Sequence, residues 1–281
     1  MHLIKRHPES LPNAPRQESL CGHEHNLHFS FAGGAILSFF NVGITRYILK
    51  KYDRDDVSRV YGISGGALCG LWFLASHNSK NFDLVTDTYV KEWEAKVARE
   101  GGKVALQRSL RYHRSLLWRF LPTDAYIRCS GKLHIALTRA RTGKLEIISE
   151  FNSQKHLIDT VIAAMSIPFV NTWRPVRVDK KWYLDAGMIT NQITCCSEVI
   201  CCSPFPQLFS FWKKPEFVPH QSIMGRNRLI DAFDPETDVR KQLEMGFEAA
   251  KTYFEDPYQQ PRLSSGQPRA IFPTLQTLGI S

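Results

Sequence analysis

Tyr61-Gly62-Ile63-Ser64-Gly65-Gly66-Ala67 sets a serine among glycines in the pattern Gly-x-Ser-x-Gly. Val57, Val60 and Ile63 lead into it as a strand, and Ala67 to Ala75 lead out as an apolar helix. A serine at such a strand-to-helix turn sits in strained backbone, so the residues two before and two after it must be nearly free of side chain. Gly62 and Gly66 meet that demand, and with Gly65 they form a nucleophile-elbow pattern. Ser64 then stands at the N-terminus of a helix, where the dipole favours negative charge developing nearby. The functional reading is a nucleophile; the bland one is a glycine-rich turn that happens to hold a serine, and the flanking strand and helix weigh against it.

The preceding stretch repeats the arrangement. Leu27, Phe29 and Phe31 alternate as a strand, Gly33-Gly34 turn the chain, and Ile36 to Lys51 carry Ile36, Phe40, Ile44, Tyr47 and Ile48 at helical spacing. Two such units in succession predict parallel strands joined by right-handed crossovers, hence an α/β fold with active residues at the carboxyl ends of the strands.

Further on, Phe82 to Phe120 read as helical, with Arg108, Arg111, Arg114 and Arg119 interleaved among apolar residues. A solvated helix face is the favoured reading; a basic amphipathic helix on an anionic membrane is the other. Leu133, Ile135 and Leu137 with Leu145 and Ile147 predict a hairpin turned at Thr142-Gly143, and Ser153 is placed to cap a helix that ends before Pro168. Val176 and Val178 with Trp182 and Leu184 predict a second hairpin delivering Asp185-Ala186-Gly187, and Val199 to Cys202 a buried strand. Asp234 and Pro235 open a last helix with the core stripe Val239, Leu243, Phe247, Ala250 and Phe254. The domain organisation expected is a flexible arm over 1–25, one domain over 26–257 and a flexible tail over 258–281.

With 281 residues, 43% of them hydrophobic, the chain is long enough for a well-buried core. Seven cysteines, including the adjacent pairs Cys195-Cys196 and Cys201-Cys202, are a poor basis for disulfides, and no apolar run follows the basic residues at the start. The expectation is a reduced, cytoplasmic protein. The longest uncharged window, Asn26 to Thr45, is broken by glycines in its middle, so no transmembrane helix is expected. A formal net charge of +9 suggests an anionic partner without choosing among membrane, nucleic acid and acidic substrate.

Ester hydrolysis needs a nucleophile, a base and donors for an oxyanion. Phe31-Ala32-Gly33-Gly34, at the end of the first strand, can point backbone N–H groups at an oxyanion; a phosphate loop is the alternative, but the Lys-Ser/Thr of a P-loop is missing. The base is the open question. His220 is the only histidine after Asp185 and has no strand-end context, whereas His113, His134 and His156 precede it, the wrong order for a Ser-Asp-His triad. Asp185, at a strand end, could approach Ser64 directly and act as base, or be an ordinary turn aspartate. Cys21-Gly22-His23-Glu24-His25 lacks a zinc-protease spacing, and adjacent cysteines on a strand point to opposite faces, so no metal site is expected.

Ser30-Phe31-Ala32-Gly33-Gly34 with Gly43, Gly62-Ile63-Ser64-Gly65-Gly66, Ser166-Ile167-Pro168, and Asp185-Ala186-Gly187 with Asn191 together resemble the patatin-like phospholipase domain. Ile200 to Phe205 and the helix from Asp234 to Phe254 resemble more particularly its adipose triglyceride lipase branch. The resemblance covers roughly residues 26 to 257. It implies a three-layer α/β/α fold with a mostly parallel central sheet, and serine acyl-hydrolase activity on lipid esters with no catalytic histidine and no cofactor. It makes Ser64 the nucleophile, Asp185 its general base, and Gly33 and Gly34 the oxyanion hole. The sequence departs from the family pattern at Ala35 and Ser38, where glycine is usual, and at Ala186, which replaces glycine after the aspartate.

A lipid ester substrate places the protein at an interface, peripherally on an anionic membrane or a lipid droplet, with no nucleic-acid partner. The aromatic and basic stretch Phe205 to Lys214 is the segment that would touch it; a buried strand with a basic turn is the alternative.

Overall fold

Alternation in five short strands sets the centre of the molecule. The computed structural model describes residues 27–52, 56–76, 78–193, 199–206 and 221–256. The chain runs from β1 (Leu27–Phe31) through a 3₁₀ turn at Ala35–Ser38 into α1 (Phe39–Lys51), then β2 (Val57–Gly62) and α2 (Gly65–Ala75). There follow α3 (Ser79–Glu100), α4 (Gly102–Gln107), α5 (Ser109–Phe120) and α6 (Ala125–Cys129), then β3 (Leu133–Arg139), β4 (Leu145–Ile148) and α7 (Gln154–Ala164). The hairpin β5 (Val176–Val178) and β6 (Lys181–Asp185) precedes β7 (Ile200–Ser203), β8 (Gln221–Met224) and α8 (Val239–Glu255).

The strands form one sheet in the order β5-β6-β3-β2-β1-β7-β8, with β4 paired to β3. β3, β2, β1, β7 and β8 are mutually parallel, while β4, β6 and β5 are antiparallel additions on the β3 side. The fold is therefore the mixed α/β class expected, with a mostly parallel central sheet. β2 and β7 flank β1, so the order reverses at β1, and the carboxyl ends of β1 and β2 carry Gly33-Gly34 and Ser64. That switch point is where open parallel sheets bind ligands.

Successive side chains on β2, β3 and β7 serve two different cores. Phe29, Phe31, Val60, Ile135, Leu137, Ile200 and Cys202 join the large cluster under the helices, whereas Tyr61, Ile63, Ala136 and Cys201 join a smaller one on the opposite face with Ala186, Ile193 and Val199. Cys201 and Cys202 are thus buried core thiols pointing to opposite faces. α1 and α8 cross so closely that a methyl group on Gly43 would lie 2.0 Å from the Leu243 carbonyl oxygen, and one on Gly246 would lie 1.9 Å from that of Phe40. No larger residue fits either place.

Two expectations need correction in detail, the continuity of one helical stretch and the start of the last helix. The helical stretch from Phe82 to Phe120 is three helices, because Gly101 takes φ +77° and ends α3. Its arginines are largely paired with acids of neighbouring segments: Arg114 with Asp159, Arg119 with Glu92, and Arg108 with Glu100 at 3.7 Å. The face is an ion-paired, solvated one. The last helix begins four residues after Pro235: Asp238 caps it by accepting from the N–H groups of Arg240 and Lys241, while Asp234 accepts from Glu236 N–H in a local turn. Ser153 caps α7 as expected, accepting from His156 N–H at 3.2 Å. The N-terminal arm with Cys21 to His25, the pair Cys195-Cys196, His220, the stretch from residue 207 to Lys214 and the C-terminal tail lie outside the described residues.

Candidate active site

β2 ends at Gly62, and the chain must turn at once to start α2. Ser64 makes the turn at φ 54°, ψ −130°, a left-handed conformation that costs a side-chain-bearing residue of order 1–3 kcal/mol. Turn contacts hold it there: Gly66 N–H donates to Ile63 O at 2.8 Å and Ala67 N–H to Ser64 O at 2.9 Å. The neighbouring glycine is obligatory, since a methyl group on Gly66 would sit 2.3 Å from Phe31 O and 2.6 Å from Ala32 O, inside the end of β1. The strained serine expected from the sequence is present, at the N-terminus of α2.

Asp185 is the last residue of β6. Pairing of β6 with β3 and two backbone bonds anchor it: its own N–H donates to Ser166 O at 3.0 Å, and Thr138 Oγ1 donates to its carbonyl at 3.2 Å. Its side chain is enclosed, with 2% of the residue exposed. Gly187 N–H donates to Oδ1 at 2.7 Å, and Oδ2 is buried without a hydrogen-bond partner among the described residues. Loss of solvation pushes the carboxyl up to about 6, against the opposing pull of the Ser64 hydroxyl and the Gly187 N–H, both of which favour the ionised form. The Ser64 hydroxyl is thus close enough to act on the Asp185 charge, although Oδ2 completes no hydrogen bond of ordinary geometry. Ala186 follows with φ outside the positive region, so alanine in place of glycine there strains nothing.

Gly33 lies directly against Ser64, and Gly34 lines the cavity that Ser64 shares with Asp185. A methyl group on Gly33 would meet Ser64 Cβ at 2.9 Å and Asn191 Oδ1 at 2.7 Å. Asn191 Nδ2 donates to Gly33 O at 3.1 Å, and Gln192 Nε2 to Ser30 O at 2.6 Å, so the segment after Asp185 clamps the loop after β1. No described residue accepts from the backbone N–H groups of Gly33, Gly34 or Gly65. Among the described residues they are donors without a partner. The clamping roles of Gln192 and Thr138 carry no signal in the sequence; Asn191 enters there only as part of the family resemblance, with Asp185-Ala186-Gly187. Ala35 sits at φ 45°, and the buried Ser38 Oγ, itself unpartnered, fills the space over Gly65 that a Cβ would need.

Two cavities meet at Ser64. One, of about 220 Å³, is bounded by Gly33, Gly34, Asp185, Asn191 and, toward solvent, Met188 and Phe233. The other, of about 100 Å³, is a narrow apolar channel between α1, α2, α3 and α5, walled by Val42, Leu68, Phe82, Tyr89 and Trp93. No histidine is among the groups that act on the Asp185 carboxyl, which are the Ser64 hydroxyl and the Gly187 N–H. His134 lies beside Tyr61, the rings tilted with centroids 4.9 Å apart; His156 Nε2 faces Asp179 at 3.4 Å; His113 lines the apolar channel, stacked on Tyr89 and Trp93, and burial pushes it down to about 4. No group of three metal-ligating side chains gathers among the described residues.

The family model described as patatin-like phospholipase matches residues 29–194, more than half of the chain and the span from β1 to the segment after Asp185. Among curated proteins, the chain is similar to the patatin-like phospholipase domain-containing protein 2 of Homo sapiens, at 30% identity over 65% of this chain and 36% of that protein. It is similar to the 1-acylglycerol-3-phosphate O-acyltransferase Pnpla3 of Mus musculus, at 26% over 65% of this chain and 44% of that one. It is similar also to the omega-hydroxyceramide transacylase of Homo sapiens, at 26% over 88% of this chain and 49% of that one. The chain spans less than half the length of each of these relatives.

Proposed function

The chain belongs to the patatin-like phospholipase family, and from that premise we infer that it is a serine lipid acyl hydrolase, cleaving carboxylic esters of phospholipids or acylglycerols through a Ser64–Asp185 dyad. One observation carries the reading: a buried carboxylate oxygen with no partner, Asp185 Oδ2, in the cavity that holds a strained serine.

In the first half of the reaction, Ser64 Oγ attacks the ester carbonyl while its proton passes to Asp185 Oδ2. The oxyanion that forms is held by the free N–H groups of Gly33, Gly34 and Gly65, assisted by the N-terminus of α2. Collapse breaks the bond to the alcohol, which leaves with the proton from Asp185, and an acyl-Ser64 ester remains. In the second half, water gives a proton to Asp185 as it attacks this ester; the fatty acid departs and Ser64 regains its proton. The carboxyl near 6 suits both roles, being mostly ionised at neutral pH yet basic enough to hold a proton in passing. The apolar channel takes the acyl chain, and the cavity at Asp185 takes the alcohol part.

A second outcome of the same intermediate is favoured by two of the relatives, one named as an acyltransferase and the other as a transacylase. If an acceptor alcohol replaces water in the second half, the product is a new ester instead of a fatty acid. Peripheral attachment to a lipid surface accompanies either outcome; no described helix is long and apolar enough to cross a membrane.

Hydrolysis of a p-nitrophenyl acyl ester by the wild type and by Ser64→Ala tests the enzyme, and transfer of a radiolabelled acyl group to monoacylglycerol tests the second outcome. The variant is expected to lose activity by about 10³-fold or more. Equal rates would leave only a catalytically inactive protein that binds lipid surfaces.

A further inference from the structure

Ile167 borders both cavities at Ser64. Two residues later the chain presents Phe169, 80% exposed, and then Trp173, 84% exposed, with the two rings edge to face at 5.5 Å. These rings do not sit on a slack loop. Asn171 ties the loop to the body, accepting from Ile167 N–H at 2.9 Å and donating to Met165 O and Ser109 Oγ; Phe169 N–H donates to Thr172 O at 3.0 Å. Phe169 is also held at φ 65°, a conformation that disfavours a bulky side chain. The fold thus accepts backbone strain and displays two large apolar rings in water, both costs that contact with an apolar phase would offset.

The display continues around the opening. Met188 and Phe233 line the cavity at Asp185 and are themselves more than a third exposed, and Ile230, between the cavity-lining Leu229 and Phe233, is 72% exposed. Arg174 beside Trp173 and Arg226 before Leu229 are exposed, and neither pairs with a carboxylate among the described residues. Apolar residues around a mouth, tryptophan at the rim and unpaired arginines behind it, in a chain of formal net charge +9, complement one kind of surface. We propose that Phe169, Trp173, Met188 and Ile230 form the docking face of this protein for an anionic phospholipid bilayer, with Phe169 and Trp173 inserting between lipids and Arg174 and Arg226 on headgroup phosphates. The face surrounds the mouth of the candidate site, so docking delivers the ester directly to Ser64.

Binding is measured in the Ser64→Ala background, so that docking and catalysis stand or fall separately. Flotation with vesicles of phosphatidylcholine containing phosphatidylglycerol is compared with Ser64→Ala carrying Phe169→Ala and Trp173→Ala, and with vesicles of phosphatidylcholine alone. The added substitutions are expected to weaken binding to the anionic vesicles about tenfold or more, and phosphatidylcholine alone to bind less. In the Ser64 protein, the same two substitutions are expected to leave hydrolysis of the soluble p-nitrophenyl butyrate within about twofold, since neither ring borders the cavities. Trp173→Phe keeps an aromatic ring and guards against misfolding: brominated lipids are expected to quench tryptophan emission of the wild type and to lose most of that effect with Trp173→Phe. Undiminished binding by the double variant, or equal quenching of the wild type and Trp173→Phe, overturns the proposal. So does a dimer in sedimentation that Trp173→Ala dissociates, which would assign the face to a second copy.

Discussion

Gly187 N–H donates to Asp185 Oδ1 at 2.7 Å and leaves Oδ2 of the same carboxyl buried and unpartnered. One oxygen is used to orient the group, and the other is left for chemistry. Enclosure raises the carboxyl to about 6, which makes it protonated in weakly acidic solution. Because the base must be ionised, kcat/KM is expected to fall about tenfold per pH unit below 6 and to level off above 7. A pH profile with a soluble ester checks this.

The same carboxyl bears on stability. Its folded pKa lies above the unfolded value near 3.8, so between the two the native state holds the extra proton and stability declines as pH rises through about 6. Asp185→Asn keeps an acceptor for Gly187 N–H and removes the buried charge. It is expected to raise stability by about 1–3 kcal/mol at pH 8 and by little at pH 4, while abolishing turnover. Thermal melting at the two pH values measures the difference.

Ser64 holds φ 54°, where glycine is at ease and serine is not. Ser64→Gly and Ser64→Ala are both expected to be inactive, but only the glycine variant relieves the backbone, with a gain of about 1 kcal/mol. Denaturant titration of the two inactive proteins separates strain from chemistry; equal midpoints would remove strain as a property of the turn.

Ala35 is the second alanine whose conformation matters, at φ 45°. Ala35→Gly is expected to stabilise the fold by up to about 1 kcal/mol and to leave kcat unchanged or higher, since it frees the loop that carries Gly33 and Gly34. A change in the opposite direction in both measurements would show that alanine is needed to stiffen that loop.

Leu68 lies in the wall of the narrow channel next to Ser64. Leu68→Trp adds bulk to a space of about 100 Å³, so activity on long-chain p-nitrophenyl esters is expected to fall about tenfold or more relative to the butyrate. A uniform loss on all chain lengths would place the acyl group elsewhere.

Sequence alone determined the local features whose cause is local. The glycines around Ser64, the alternation in β1 and β3, the serine cap of α7 and the hairpin that ends at Asp185 each follow from backbone sterics or side-chain periodicity over a few residues. Where a signal is ambiguous at that range, it misleads: Asp234-Pro235 has the form of a helix start, but Asp234 accepts from Glu236 N–H in a local turn and Asp238 supplies the cap. Similarly, an alternation of arginines could not reveal that Asp159 and Glu92, distant in the chain, neutralise it. Only the tertiary structure decided the rest. Pairing of β6 with β3 sets Asp185 beside a serine 121 positions earlier in the chain, Asn191 locks Gly33, and burial, which no single residue carries, lifts the carboxyl. The sign of φ at Ala35 and at Ala186 was equally beyond the sequence, since alanine fits either region at different cost; the fold strains the first and spares the second.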